Sequence, residues 1–311
     1  MIAPTGQQFV ISRPTPQGQA RAVITELAAS LREFSIGGVA LTQPYSEHST
    51  APFCSGIVLV PWPNRVEDGR WSLHGAPQQL DLTEVDKNNA IHGLLRNTGY
   101  TLVEQTAEAV TLAATVFPQH GYPFHLGTTV RYALVDDGIE VTHGIRNLSE
   151  AAAPVAVGTH PFLTIGDAPT EELVLTVHAS THFEVDARLN PQREHPVEGT
   201  RYDLRSGVRL GDLHLDDAFG GVATVDGVAA RLTAPDGREV RLLQDANHPY
   251  VQVFTTRDFP AADGPVLAVA IEPMTAPAGA LASGQGLRWL NPGEQWTVRW
   301  GIQYAGQHQG E

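Results

Sequence analysis

The stretch Trp296-Thr297-Val298-Arg299-Trp300-Gly301-Ile302-Gln303-Tyr304 reads as a β-strand. Trp296, Val298, Trp300, Ile302 and Tyr304 fall on one face. Thr297, Arg299, Gly301 and Gln303 fall on the other, which is the period-2 alternation of a half-buried strand. Val130, Tyr132 and Leu134 alternate in the same way, as do Ile139, Val141, His143 and Ile145. Asp136-Asp137-Gly138 lies between those runs and predicts a hairpin turn. Pro235-Asp236-Gly237 separates residues 230–234 from 239–243 as a second hairpin, and Asp226-Gly227 suggests a third. Helical signal is thin. Residues 20–34 have some apolar periodicity, but Gly37-Gly38 follows and residues 21–27 read equally well as a strand. Many short strands with frequent Gly and Pro predict an all-β fold, a large antiparallel sandwich or barrel-like assembly. No linker, low-complexity tract or short repeat divides the chain, so one domain over residues 1–311 is expected.

Composition narrows the function classes. Apolar residues make up 42% of the chain and charged residues 17%, below the roughly 25% of an average globular chain, so a large core is available. A formal charge of -14 argues against nucleic-acid or anionic-membrane partners, whose binding needs clustered Lys and Arg. The single cysteine, Cys54, excludes an internal disulfide framework and a Cys-rich zinc site, and its apolar neighbours favour a buried thiol. The polar N-terminal residues and the absence of a membrane-length apolar stretch lead to the expectation of a soluble, reduced, cytoplasmic protein.

Several segments break the pattern of strands and turns. Val266-Leu267-Ala268-Val269-Ala270-Ile271, bounded by Pro265 and Pro273, predicts a strand buried on both faces that stops at Pro273. Glu272 then stands at its mouth, where desolvation raises a carboxylate's proton affinity and a general base becomes available. In Val157-Gly158-Thr159-His160-Pro161-Phe162, the residue before proline is held extended, and His160 can exchange a proton near neutrality. Asn88-Asn89-Ala90-Ile91-His92-Gly93 projects His92 from a constrained loop. Val60-Pro61-Trp62-Pro63-Asn64-Arg65 offers a forked donor from a stiff loop. Leu215-Asp216-Asp217-Ala218-Phe219 adds an acidic pair beside an aromatic. Each segment taken alone also fits a structural role: a packed histidine, a surface arginine, a plain turn, a buried ion pair. His92, His160, Asp216 and Glu272 lack the spacing of a metal set, and no nucleotide-binding loop or nucleophile elbow is present, so no metal and no cofactor are expected.

In this order, the Pro63-Asn64-Arg65 loop, NNAIHG (88–93), THPF (159–162), LDDAF (215–219) and IEPMT (271–275) resemble the aldose 1-epimerase (galactose mutarotase-like) family over nearly the whole chain. The resemblance implies a β-supersandwich with an open sugar-binding cleft and no cofactor. It implies Glu272 as general base and His160 as general acid, with Arg65, His92, Asp216 and, less closely matched, Gln252 holding sugar hydroxyls. Phe162 and Leu163 depart from the family's Tyr-Phe pattern, which removes a phenol hydroxyl beside the acid. The implied reaction interconverts the α and β anomers of a free aldohexose such as glucose or galactose. The nearest rival is a hexose-6-phosphate 1-epimerase, with Arg96, Arg65 or Arg70 meeting the phosphate. A non-catalytic sugar-binding protein on the same fold is the third reading. The sequence is silent on oligomeric state.

Overall fold

The computed structural model describes residues 2–306; Met1 and residues 307–311, part of the expected domain span, lie outside the described residues. The tryptophan-rich strand Gln295–Ala305 is at the centre of a nine-stranded sheet, paired with Gly138–Asn147 on one side and Glu239–Gln244 on the other. Val298, Trp300, Ile302 and Tyr304 are buried as the alternation requires, and Trp296 is half-buried nearer the strand start. The Asp136-Asp137 turn joins Leu126–Val135 to Gly138–Asn147 in register from Val135↔Gly138 to Leu126↔Asn147. The second predicted hairpin joins Val228–Thr233 to Glu239–Gln244, and the Asp226-Gly227 turn is closed by a bridge between Val225 and Val228.

A second, eight-stranded sheet is built on the long pair Tyr250–Ala261 and Gly264–Met274. Inward side chains of both sheets, among them Val141, Val298 and Leu242 from the first and Val251, Val253 and Ile271 from the second, join one apolar core. The two sheets therefore face each other, and every sheet pairing is antiparallel apart from an isolated Val60–Gly93 bridge. Within residues 20–34 the chain forms two strands and the turn between them: Gly18–Thr25 and Leu31–Ile36 lie in a four-stranded sheet with Gln8–Thr15 and Val39–Ala40. Burial of Ala20, Ala22, Ile24, Phe34 and Ile36 against the core decides for strand over the helical reading.

One sequence expectation is corrected. Gly264–Met274 does not stop at Pro273; it runs on to Met274, with Val251 opposite Pro273. Ile271 N donates to Pro161 O and Thr275 N to Val157 O, so position 273 would aim its N–H at the same side. On that side the neighbouring chain turns through His160-Pro161 between two short strands, and the proline's missing donor interrupts no ladder there. Glu272 is consequently inside the ladder, opposite Gln252, and not at its mouth.

The loop carrying His92 depends on one glycine. Gly93 has φ +72, and a Cβ placed on it would lie 2.1 Å from Val60 O. Leu94 N donates to Val60 O, so the two segments meet backbone to backbone. Gly93→Ala is expected to lower stability by about 2 kcal/mol or more, since it adds both left-handed strain and a backbone clash. A denaturant titration compared with wild type checks this; a change under about 0.5 kcal/mol would show that the approach is slack.

Candidate active site

The second sheet carries the site. On Tyr250–Ala261 and Gly264–Met274, Gln252 and Glu272 are cross-strand partners; on the next strand, Asp216–Gly220, Asp216 lies opposite Phe254. The sheet's other flank is Gly158–Thr159, and the chain leaves it through His160 and Pro161. His160 is tied at its backbone, N donating to Ile57 O and its O accepting from Gly56 N. Arg65–Glu67 pairs with Asn89–Ile91, which brings Arg65 opposite Ile91 and His92 just beyond. Asn64 takes φ +56 and its carbonyl accepts from His92 N, so the two loops fix each other.

These segments close a cleft of about 190 Å³ whose walls include Asn64, Arg65, His92, His160, Asp216 and Glu272. Gln252 is buried behind it and donates to Asp216 Oδ1 at 2.7 Å. His160 Nε2 is 3.3 Å from Glu272 Oε1, and the His92 ring meets His160 edge-on at 5.4 Å between centroids. Phe162, standing where the family has tyrosine, is fully buried and stacks on the His160 ring at 5.5 Å. All six residues singled out in the sequence thus come together.

Glu84 was missed. Its carboxylate takes the Arg65 fork bidentately, Oε2 accepting from Nε at 2.9 Å and Oε1 from Nη2 at 3.0 Å, while Asp216 Oδ2 lies 3.4 Å from Nη2. Burial works against the Arg65 charge, but Asp216 and Glu84 outweigh it and hold the guanidinium firmly ionised. Cys54 is a half-buried wall of the cleft with a positive φ, not a fully buried core residue; burial pushes its thiol up, away from the reactive thiolate.

Electrostatics of the His160–Glu272 pair are set by burial. Glu272 is 1% exposed; burial drives its carboxyl well above the usual carboxylate range, nearby Asp216 adds to this and Arg65 opposes it. Burial brings His160 down to about 4 and carries His92 well below its ordinary value, helped there by the charges of His160, Arg96 and Arg65. Desolvation therefore opposes the expected imidazolium at His160 and favours the pair's proton on Glu272. Three buried polar atoms lack protein partners here: Glu272 Oε2, His160 Nδ1 and His92 Nδ1. Unpaired buried polar atoms are costly, and all three here belong to walls of the one cleft. Among the described residues no three His, Cys, Asp or Glu side chains come together as metal ligands. No helix among the described residues is long and apolar enough to cross a membrane.

Comparison with known proteins places this geometry. The sequence profile of the family described as aldose 1-epimerase matches residues 17–303. The uncharacterized protein YihR of Escherichia coli is 31% identical over 279 residues, covering 89% of this chain and 88% of that protein. Human galactose mutarotase is 30% identical over 171 residues, 52% of this chain and 48% of its own length. The GalM/aldose epimerase homologue from C. elegans superposes with a TM-score of 0.82 at 18% identity, over 96% of this chain and 99% of that one. Galactose 1-epimerase from Lactobacillus acidophilus does so with a TM-score of 0.75 at 19% identity, over 97% and 99%. These superpositions identify the fold as the galactose mutarotase supersandwich.

Buried histidines make stability depend on pH. His143, held at about 3 by burial, His160 at about 4 and His92 are neutral in the fold but titrate at the ordinary 6.5 once unfolded. The unfolded chain then binds more protons, so stability is full above 6.5 and is lost as pH falls toward those lower values. Each group contributes a limiting slope of about 1.4 kcal/mol per pH unit. Glu272, which holds its proton more tightly in the fold, acts in the opposite sense over its own window. Urea midpoints between pH 7 and 4.5 are expected to fall, and His143→Phe to make the fall shallower; an unchanged slope in that variant would contradict a buried neutral imidazole.

Proposed function

The chain belongs to the aldose 1-epimerase family, and on that premise we propose that it interconverts the α and β anomers of a free aldohexose such as glucose or galactose. The observation that carries this reading is the buried His160–Glu272 pair, 3.3 Å apart, with an unpartnered atom left on each side chain. Ring opening requires a proton to leave the C1 hydroxyl while another reaches the ring oxygen O5, so that the C1–O5 bond breaks. Once the pair's proton has passed from Glu272 to His160, Glu272 takes the first proton and His160 delivers the second; the open aldehyde turns about C1–C2 and closes on either face with both transfers reversed. Two buried groups that share one proton always contain one acid and one base, which is what the reaction consumes and regenerates. Each positioned group contributes on the order of 10²–10⁴ in rate. Arg65, His92 and Asp216 hold hydroxyls around the ring, and Gln252 orients Asp216 from behind. Glu84 and Asp216 fix Arg65 so that its remaining donor direction faces the sugar.

The positions of the arginines support a free sugar over a sugar phosphate. Arg96 lines a neighbouring cavity with Trp62, Gly93 and Asn97 and points its Nη1 at Ile91 O, 3.5 Å away, so that its charge reaches His92 while its side chain is not a wall of the cleft. Arg70 is exposed and bonded to Gln79, and the fork of Arg65 is already taken by two carboxylates. Galactose belongs among the first substrates to try, since galactose mutarotase of human is a relative.

Polarimetry of freshly dissolved α-D-glucose and α-D-galactose should show faster approach to equilibrium rotation with wild type. Glu272→Gln and His160→Ala should each lose about 10²-fold or more. If Glu272→Gln kept wild-type rates, or glucose 6-phosphate were turned over faster than any free aldose, this reading would be wrong. The pH dependence is a separate check. Below about 4, His160 takes a second proton, the pair has no base, and enzymatic kcat/KM should decline after subtraction of the buffer rate. The acid limb should therefore lie near 4, in contrast to a profile breaking at the ordinary histidine value of 6.5.

A further inference from the structure

Most of the catalytic cleft's wall is polar, and its apolar part comes from Phe53, Cys54, Ile91 and Phe254. Phe53 differs from the other three. It is 40% exposed, whereas Ile91 is buried and Cys54 and Phe254 are half-buried. A single exposed phenylalanine is ordinary on a protein surface. This one is presented by a backbone bent to do so.

Phe53 takes φ 48 and ψ 34, and Cys54 follows with φ 60. Residues other than glycine, asparagine and aspartate rarely adopt that left-handed region, and a bulky side chain stays there only where its surroundings enforce it. The enforcement here is a closed set of hydrogen bonds. Ser55 N donates to Pro52 O and Ile57 N to Cys54 O within the turn, while Ser30 Oγ donates to Ser55 O at 2.7 Å. Gly56 N donates to His160 O at 2.7 Å, so the turn that presents Phe53 also anchors the backbone of His160. Glycine or asparagine at position 53 would meet this backbone at less cost, which leaves the phenyl ring itself to be accounted for.

The ring is backed from inside the protein. Fully buried Phe259 stacks on it at 6.3 Å and 27°, and Phe254 is tilted against it at 5.9 Å. Phe254 in turn meets the His160 ring edge-on at 6.4 Å, which places this aromatic group next to the catalytic pair. Among the described residues no other aromatic ring and no guanidinium is stacked on Phe53. A flat apolar surface beside fixed hydrogen-bonding groups suits a pyranose, whose C–H side packs on a π system while its hydroxyls find polar partners.

We propose that Phe53 is a specificity-determining residue, the platform for the C–H side of the sugar ring when C1 and O5 are at Glu272 and His160. The inference rests on the anomer-exchange reading of the cleft and adds to it which side of the sugar is held. With an axial hydroxyl at C4, the hydrogens of C3, C4 and C5 share one side of the ring as an unbroken apolar patch. The equatorial C4 hydroxyl of glucose interrupts that patch. Phe53 therefore favours galactose over glucose.

The test measures kcat and KM for anomer exchange of galactose and glucose, by polarimetry or NMR exchange, with a urea titration of each variant. Phe53→Gly removes the ring and suits the left-handed backbone. Its KM for galactose should rise about tenfold, the ratio that a single good contact supplies. Its kcat should fall much less, because the ring touches ground state and transition state alike. Glucose should lose less, so the galactose-to-glucose ratio of kcat/KM should drop about threefold or more. Phe53→Tyr, which restores a ring, should recover most of the loss. Should Phe53→Gly show no cooperative unfolding, Phe53→Leu, which keeps apolar bulk without a flat face, takes its place with the same expected directions. If a folded variant keeps its galactose KM within about twofold of wild type, loses kcat alone, or leaves the sugar ratio unmoved, the proposal is overturned while the anomer-exchange reading stands. If wild type accelerates neither sugar, both fall.

Discussion

A carboxyl group inside a sheet ladder is the constraint on which the rest of this structure turns. Glu272 is flanked in sequence by Ile271 and Pro273 and faces Gln252 across the ladder, with almost no access to water. An ionised carboxylate there would cost several kcal/mol unless paired and hydrogen-bonded. The surroundings supply no cation in contact with it: Arg65 lowers its proton affinity from a distance, but Asp216 raises it, and the one group within ion-pair reach is His160. The protein thus keeps an acid and a base in contact, both desolvated, both pushed toward their neutral forms. A reaction that moves one proton on and one proton off gains most from such a pair, because neither partner is committed to holding its charge.

Holding His160 in place requires structure from far away in the chain. Thr159, the preceding residue, has its hydroxyl 3.3 Å from Nε2 of His143. The same nitrogen accepts from Trp300 Nε1 at 3.1 Å. His143 and Trp300 belong to the central strands of the nine-stranded sheet, whereas Thr159 belongs to the other sheet. The hydrogen-bonded line from Trp300 through His143 to Thr159 therefore crosses the apolar interior and links the nine-stranded sheet to the edge that carries His160. His143 serves this purpose only as a neutral ring with Nε2 as acceptor, which its burial enforces.

How much of this was legible follows from the kind of pattern each feature makes. The alternation of Trp296 to Tyr304 is local, and it located a central strand. The burial of Glu272 was also visible, because six apolar residues precede it. Its neighbour Pro273 was misread, since whether a proline ends a strand depends on what flanks its nitrogen, and here that side is already interrupted by the turn at His160-Pro161. Residues 20–34 could not be assigned from periodicity because Ala20, Ala22 and Ile24 suit either a helix or a strand until a core is placed against them. Glu84 left no signal at all. It lies 19 positions from Arg65, in a polar loop, and nothing local distinguishes it from the acids around it. Only the pairing of Arg65 with Ile91, which folds the intervening loop back on itself, brings it to the guanidinium.

Charge at the cleft then bears on what can enter it. Glu84 and Asp216 bring two carboxyl groups against one guanidinium, Arg65, while burial holds the Glu272 carboxyl well above the usual carboxylate range. The cleft therefore holds more acidic side chains than arginines, in a chain whose formal charge is already -14. An anionic sugar would have to displace a carboxylate from Arg65 to gain a counter-ion, which forfeits a bidentate bond between partly buried partners. A neutral sugar, on the proposed reading, would leave that bidentate bond intact. The arginine is therefore better understood as an anchor that the two acids hold rigid than as a receptor for charge.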